Sequence, residues 1–97
     1  MSIALVSVYE LPADDRKKYA AVFSVNGEPK KVKFGARGYE DYTTHHDKIR
    51  RDSYRSRHQH DHLDNPLSPG ALSYYILWGD STDIETNIHH FVRLFDL

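Results

Sequence analysis

The stretch Tyr19–Phe34, YAAVFSVNGEPKKVKF, decides how this chain folds. Two apolar-periodic runs flank Asn26-Gly27, and both turn residues tolerate the positive φ that a type I′ turn demands. The pattern predicts a tight antiparallel hairpin, with Tyr19–Val25 as its first arm. Pro29 has no N–H to give to a ladder, so the second arm is expected to begin at Lys30, run to Phe34 and lie on a sheet edge. Lys30, Lys31 and Lys33 would discourage a further strand from pairing there.

Toward the N-terminus, Ile3–Tyr9 is apolar or small throughout and rich in Val. It is too short for a stable helix and reads as a buried strand. Leu11-Pro12 ends it, and the polar run ADDRKK carries the chain into the hairpin. Toward the C-terminus, Gly35 and Gly38 bracket a bend. Thr43 or Thr44 is the expected N-cap of a helix over His45–Gln59. Asp47–Arg51 and Asp52–Arg55 are spaced there for ion pairs worth about 0.2–0.5 kcal/mol each. Ile49 is the only aliphatic residue of that helix, so it needs a partner surface or a charge network.

Asp61–Ser68 reads as a linker. Ser68 and Pro69 then start a second helix, ALSYYILW, which is apolar on nearly every side and is the expected centre of the core. Gly79 ends it at the C′ position. Thr82 and Glu85 have capping-box spacing for a last helix. On that helix Ile84, Ile88, Phe91, Val92 and Phe95 form one stripe. The prediction is a single small α+β domain over residues 1–97, a three-stranded antiparallel β-meander followed by three short helices.

The chain of 97 residues contains no cysteine, which excludes disulfides and thiolate metal sites. Its N-terminus lacks the basic flank and cleavage pattern of a signal peptide. No apolar run approaches the roughly 20 residues of a membrane span. These features lead us to expect a soluble, intracellular chain. Net charge is −1, but Lys30–Arg57 holds nine Lys/Arg against four Asp/Glu, whereas Asp61 onward holds one Arg against six Asp/Glu. A polarity of this kind suits an anionic partner for the middle of the chain, a contact between subunits, or simply a helix with solvated charges.

The chemical candidates cluster in the middle. RHQHDH, Arg57–His62, sets His58, His60 and His62 at alternate positions, and Asp61, Asp64, His45 or His46 could complete a metal site only through folding. Without CxxC or HExxH spacing the motif has little specificity, so no metal and no cofactor is expected. Solvated histidines at a helix C-terminus are the simpler reading. His89 and His90 lie off the apolar stripe and read as surface residues. The run DKIRRDSYRSRH offers Asp47, Arg50, Arg51, Tyr54, Arg55, Arg57 and His58 to a partner. Arginine and tyrosine suit a protein interface, and equally phosphates and a stacked base, although Asp47 and Asp52 would repel phosphate. No phosphate loop, nucleophile elbow or carboxylate cluster is present, and the chain is expected not to be an enzyme. A nuclease-like trio of His45, Asp47 and His58 can be drawn, but sequence order alone cannot supply its geometry.

Three segments carry a resemblance. Phe34, Gly35, Gly38, Asp41, Tyr42, Thr43, His45 and Asp47 form the first, Tyr54, Arg57 and His58 the second, and Pro66–Trp78 the third. Together they resemble a family of short uncharacterised proteins of large double-stranded DNA viruses, the phycodnaviruses and mimiviruses. In those proteins a Lys/Arg-rich loop follows the Arg-His step, whereas this chain has QHDHLD. His58 alone would then belong to the shared pattern, and His60 and His62 to a variable loop. The resemblance implies a non-enzymatic virion component, such as a minor capsid protein, that contacts other viral structural proteins. It would be found in the virion or in the cytoplasm of the infected cell. The alternative is a nucleic-acid-binding accessory protein using helix 45–59.

Overall fold

The computed structural model describes residues 2–97 and has an α+β architecture. Strands β1 (Ile3–Glu10), β2 (Lys17–Val25) and β3 (Glu28–Ala36) form one antiparallel sheet in the order β1-β2-β3. The hairpin turn is as expected, with Asn26 at φ 52° and Gly27 at φ 83°. The third strand, however, begins at Glu28 and not at Lys30, with Pro29 opposite Ser24. The two-residue turn makes Val25–Glu28 a hydrogen-bonded pair, so Ser24–Pro29 is a non-hydrogen-bonded one. The missing N–H therefore falls on the outer side of an edge strand, where it costs nothing. A register shift between Leu5 and Ser7 turns Leu5 and Val8 both toward the core and leaves Val6 exposed.

Past the sheet, Arg37 sits between the two glycines and fastens the β1–β2 loop. Its guanidinium donates to the carbonyls of Leu11, Pro12, Asp15 and Lys17 at 3.0–3.2 Å. Nothing in the sequence pattern singled this residue out.

The core lies on one face of the sheet. Ala21, Phe23, Val32 and Phe34 meet Leu72, Ile76, Leu77 and Phe91, with Ile84, Ile88 and Phe95 packed around them. Burying a side chain such as Phe91 completely contributes about 2–3 kcal/mol. Pro69–Leu72 is a helical turn (α3) that opens on Ser68 and Pro69 as expected. It continues as one wider π-helical turn over Ser73–Leu77, closed by Trp78 N–H donating to Ser73 O at 3.0 Å.

Gly79 follows this turn for a reason of space. A Cβ there would lie 2.3 Å from Tyr75 O and 2.7 Å from Asn87 Cγ. Asn87, fully buried, donates to Ile76 O at 2.9 Å and Ser81 O at 2.7 Å and accepts from Ser81 N at 3.0 Å. It satisfies the backbone of the bend that leads into the last helix, α4 (Ile84–Phe95). That helix starts one residue later than its expected capping box. Asp83, with extended backbone, is the N-cap, and its carboxylate accepts from Thr86 Oγ1 at 2.6 Å, so Thr82 and Glu85 do not form the box.

The helix expected over His45–Gln59 begins later, at Lys48, and a separate helical turn precedes it. Tyr42–His45 forms α1 and Lys48–His58 forms α2, with His46 between them in the left-handed region at φ 57°. Neither threonine is the N-cap. Asp41 caps α1, accepting from Thr43 N at 2.9 Å while its own N–H donates to Thr44 Oγ1 at 3.0 Å. Asp47 caps α2, accepting from Ile49 N at 3.0 Å and Arg50 N at 3.3 Å. Two caps six residues apart make α1 and α2 separate elements and set the start of α2.

The ion pairs change accordingly. Asp47 acts as a cap, and Arg51 meets Asp52 at 3.1 Å, while Arg55 reaches Asp80 at 2.9 Å across 25 residues.

Candidate interaction cleft

Helix α2 has no buried residue, yet it is held firmly along one side. Tyr54 lies between two rings: Trp78 at 4.2 Å and 5°, and His58 at 4.1 Å and 22°. His45 also meets the tryptophan ring, at 5.2 Å and tilted by 55°. Burial in this stack, with Asp61 nearby, pushes the Tyr54 phenol up to about 12. Arg55 adds a hydrogen bond from Nε to Trp78 O at 2.8 Å, and its pairing with Asp80 holds that carboxyl below the usual range. The Arg51 guanidinium lies 4.9 Å from the centre of the Tyr42 ring. His58 Nδ1 contacts Asp61 Oδ2, which fixes the ring at the end of the stack.

Between α2 and the end of the sheet is an open cleft of about 750 Å³. Lys17, Gly35 and Ala36 form its sheet side, Tyr39–Asp41 its end, and Leu77 and Trp78 its apolar lining. Gly35, at φ 81°, is required there, because a Cβ would lie 2.8 Å from Leu77 Cδ1. Asp41 is buried in the wall, paired with Lys18 Nζ at 2.7 Å. Such a pair leaves little net charge facing the cleft, and breaking it by removing one partner costs far more than the pair is worth.

Ile49, Arg50, Ser53 and Arg57 line the cleft from α2 and are exposed. Ile49 is 79% exposed and Tyr39 75%, more than any other large apolar side chains identified as exposed. Among the described residues, Lys17, Arg50 and Arg57 make no side-chain ion pair, whereas Asp61 on the same cleft is engaged by His58.

The structure thus divides the residues offered by the sequence. Arg51, Tyr54, Arg55 and His58 grip their own chain, Asp47 caps, and Arg50 and Arg57 remain free on the cleft. His60 and His62 are exposed on the following turn, as His89 and His90 are on α4. Among the described residues no three of His, Asp and Glu come together to hold a metal ion. His45 and Asp47 meet only through Asp47 N–H donating to His45 Nδ1 at 2.9 Å, a backbone contact that orients the ring beside Trp78.

Lys17, Lys18 and Tyr39 were not singled out from the sequence, because only the third dimension brings β2 and the Gly38 bend against α2. Asp41 carried one local signal, its position three residues before Thr44, which is the spacing of a reciprocal cap.

Fold and site together define a small α+β domain with an open cleft rimmed by cations. Its sequence belongs to a family of unknown function, DUF5754, matched over residues 6–58, from within β1 to the last residue of α2. No curated protein and no solved structure matches the chain. Among the described residues, no helix is long and apolar enough to cross a membrane.

Proposed function

We propose that this chain is a non-catalytic interaction protein that holds a partner in the cleft between α2 and the sheet. We further propose that it serves as a small virion component contacting other structural proteins. One observation carries the first statement. Two large exposed apolar side chains, Tyr39 and Ile49, and three exposed cations, Lys17, Arg50 and Arg57, line a single cleft. An apolar patch bordered by free charges is the composition of a recognition surface. The virion assignment, with its setting in the particle or the host cytoplasm, draws on the sequence resemblance to proteins of large DNA viruses.

The test is quantitative proteomics of purified particles, with cross-linking from Lys17. We expect stoichiometric copies cross-linked to a capsid or other structural protein. Particles without the chain would remove the virion assignment, and cross-links that avoid the cleft would remove the cleft.

A nucleic-acid accessory role is the second reading. The same three cations beside an exposed tyrosine favour it, and it predicts affinity that falls steeply with salt.

A further inference from the structure

We infer that the occupant of the cleft is an acidic peptide segment with a large apolar side chain between its carboxylates. This inference rests on the interaction reading above and names the chemistry of the partner.

The charges on the cleft are the first argument. Asp41 is matched by Lys18, so among the described residues the cleft carries Lys17, Arg50 and Arg57, none in an ion pair, against the carboxylates of Glu40 and Asp61, the latter in contact with the His58 ring. The balance favours an anion. The spacing is the second argument. Arg50 and Arg57 are seven residues apart on α2, which places their stems about 10 Å apart along the axis. An extended segment in polyproline II conformation brings residues three apart onto one face, about 9 Å apart. Two Asp or Glu side chains at that spacing reach one guanidinium each, and Arg is suited to grip carboxylates bidentately.

The apolar surface is the third argument. Ile49 lies beside Arg50 and Tyr39 lies on the end wall, and both expose an area that a Leu, Phe or Trp of the segment would cover. Ser53, midway between the two arginines on the exposed side of α2, is small enough to leave the ridge open to such a side chain.

A nucleic acid fits this arrangement less well. Its phosphates repeat along the whole strand and would run past Glu40 and the Asp61 carboxylate, both on the cleft. The chain as a whole, with net charge −1 and pI about 6.6, supplies no wider positive field to offset them.

The experiment uses the full chain and three probes at about 50 mM salt, a condition that favours electrostatic binding. The first probe is a synthetic peptide with two Glu three residues apart and a Trp or Leu between them. The second is the same peptide with both Glu replaced by Gln, and the third is oligothymidylate. NMR shift mapping locates binding, and titration measures Kd.

We expect the acidic peptide to shift the amides of Tyr39, Ile49, Arg50 and Arg57. The Gln peptide should bind about tenfold more weakly or worse. The variant R50E/R57E, with both positions exposed, should fold normally, lose the acidic peptide and gain a peptide carrying Lys at the same two positions. Oligothymidylate binding more tightly than the acidic peptide overturns the inference, and so does equal affinity for the Glu and Gln peptides. A native partner that cross-links at the cleft while the acidic peptide fails to bind overturns the acidic-segment inference and leaves the interaction reading standing. Cross-links that avoid the cleft in the native assembly overturn both.

Discussion

Helices α2 and α4 are nearly equal in length, eleven and twelve residues, and both dock on the segment that ends in Trp78. They do so by opposite chemistry. Helix α4 offers an apolar stripe, Phe91 reaches the centre of the core, and the rings of Tyr75, Phe91 and Phe95 meet at 5.0–6.2 Å. Helix α2 offers a tyrosine, a histidine and two arginines, each finding a ring or a backbone carbonyl. A helix held by its polar stems leaves its other side unconstrained, and that side can be given over to recognition. The stripe of α4 is consumed by the core and has no such freedom.

This contrast is most easily broken on α4. Phe91→Ala leaves a cavity under the sheet and should lower the unfolding free energy by about 3–5 kcal/mol, read from the denaturation midpoint at constant m-value. A loss below about 1 kcal/mol would mean that α4 does not carry the core.

Tyr54→Ala removes the ring held between Trp78 and His58. It should cost about 2–3 kcal/mol, less than Phe91→Ala because the site is partly open to water. The distinguishing readout is hydrogen exchange: α2 amides should lose protection while those of α4 keep it. Equal loss in both helices would show that α2 is part of the core after all, and the contrast would fail.

Arg55→Met keeps the aliphatic stem but deletes the bonds to Trp78 O and Asp80. It should cost about 1–2 kcal/mol, and Arg55→Lys should recover only part of this, since one ammonium cannot reproduce the fork. Thermal melts of the three proteins check it. Full recovery in the lysine variant would reduce the site to a point charge.

The stack also fixes a pH dependence. The Tyr54 phenol ionises near 10 when unfolded and at about 12 when folded. Between those values the unfolded state holds fewer protons than the native one, so stability falls as pH rises through that window. Tyr54→Phe should flatten the alkaline slope and change little at neutral pH, and denaturant titrations at several alkaline pH values measure it. An unchanged slope would place Tyr54 in solvent.

The sequence made both helices legible, but it showed what holds α4 and not what holds α2. Periodicity reports a helix that buries its own apolar stripe, and Ile84, Ile88, Phe91 and Phe95 all lie where their spacing placed them. The hairpin was legible too, because Asn26-Gly27 is a local conformational demand. What holds α2 is long-range: Tyr54 needs Trp78, and Arg55 needs Asp80, 25 residues away. The i,i+3 partner of Arg55 gave way to Asp80, while the i,i+4 pair Asp47–Arg51 gave way to the Asp47 cap and to Asp52. The turn α1 and the later start of α2 were hidden because Asp41 and Asp47 both cap, and His46 takes a left-handed backbone without being glycine. Of the cleft, the α2 side could be read as a list of residues. The opposing side came from β2 and the bend after β3, which no spacing rule connects to α2.

The smallest expected effect is the most discriminating. Arg50 and Arg57 are exposed, and among the described residues neither side chain makes an ion pair, so Arg50→Ala and Arg57→Ala should each leave stability within about 0.5 kcal/mol of the parent. Arg51→Ala, one residue from Arg50, gives up the Asp52 contact and the Tyr42 ring and should cost measurably more, about 1 kcal/mol. Neighbouring residues of identical type would then differ only by the side of the helix they occupy. If Arg50→Ala and Arg51→Ala were equally damaging, the outward arginines would be bracing the fold, and their charge would not be free for a ligand. If both were silent, the cation–π contact at Tyr42 would carry no energy, and α2 would be held by the Tyr54 stack and Arg55 alone.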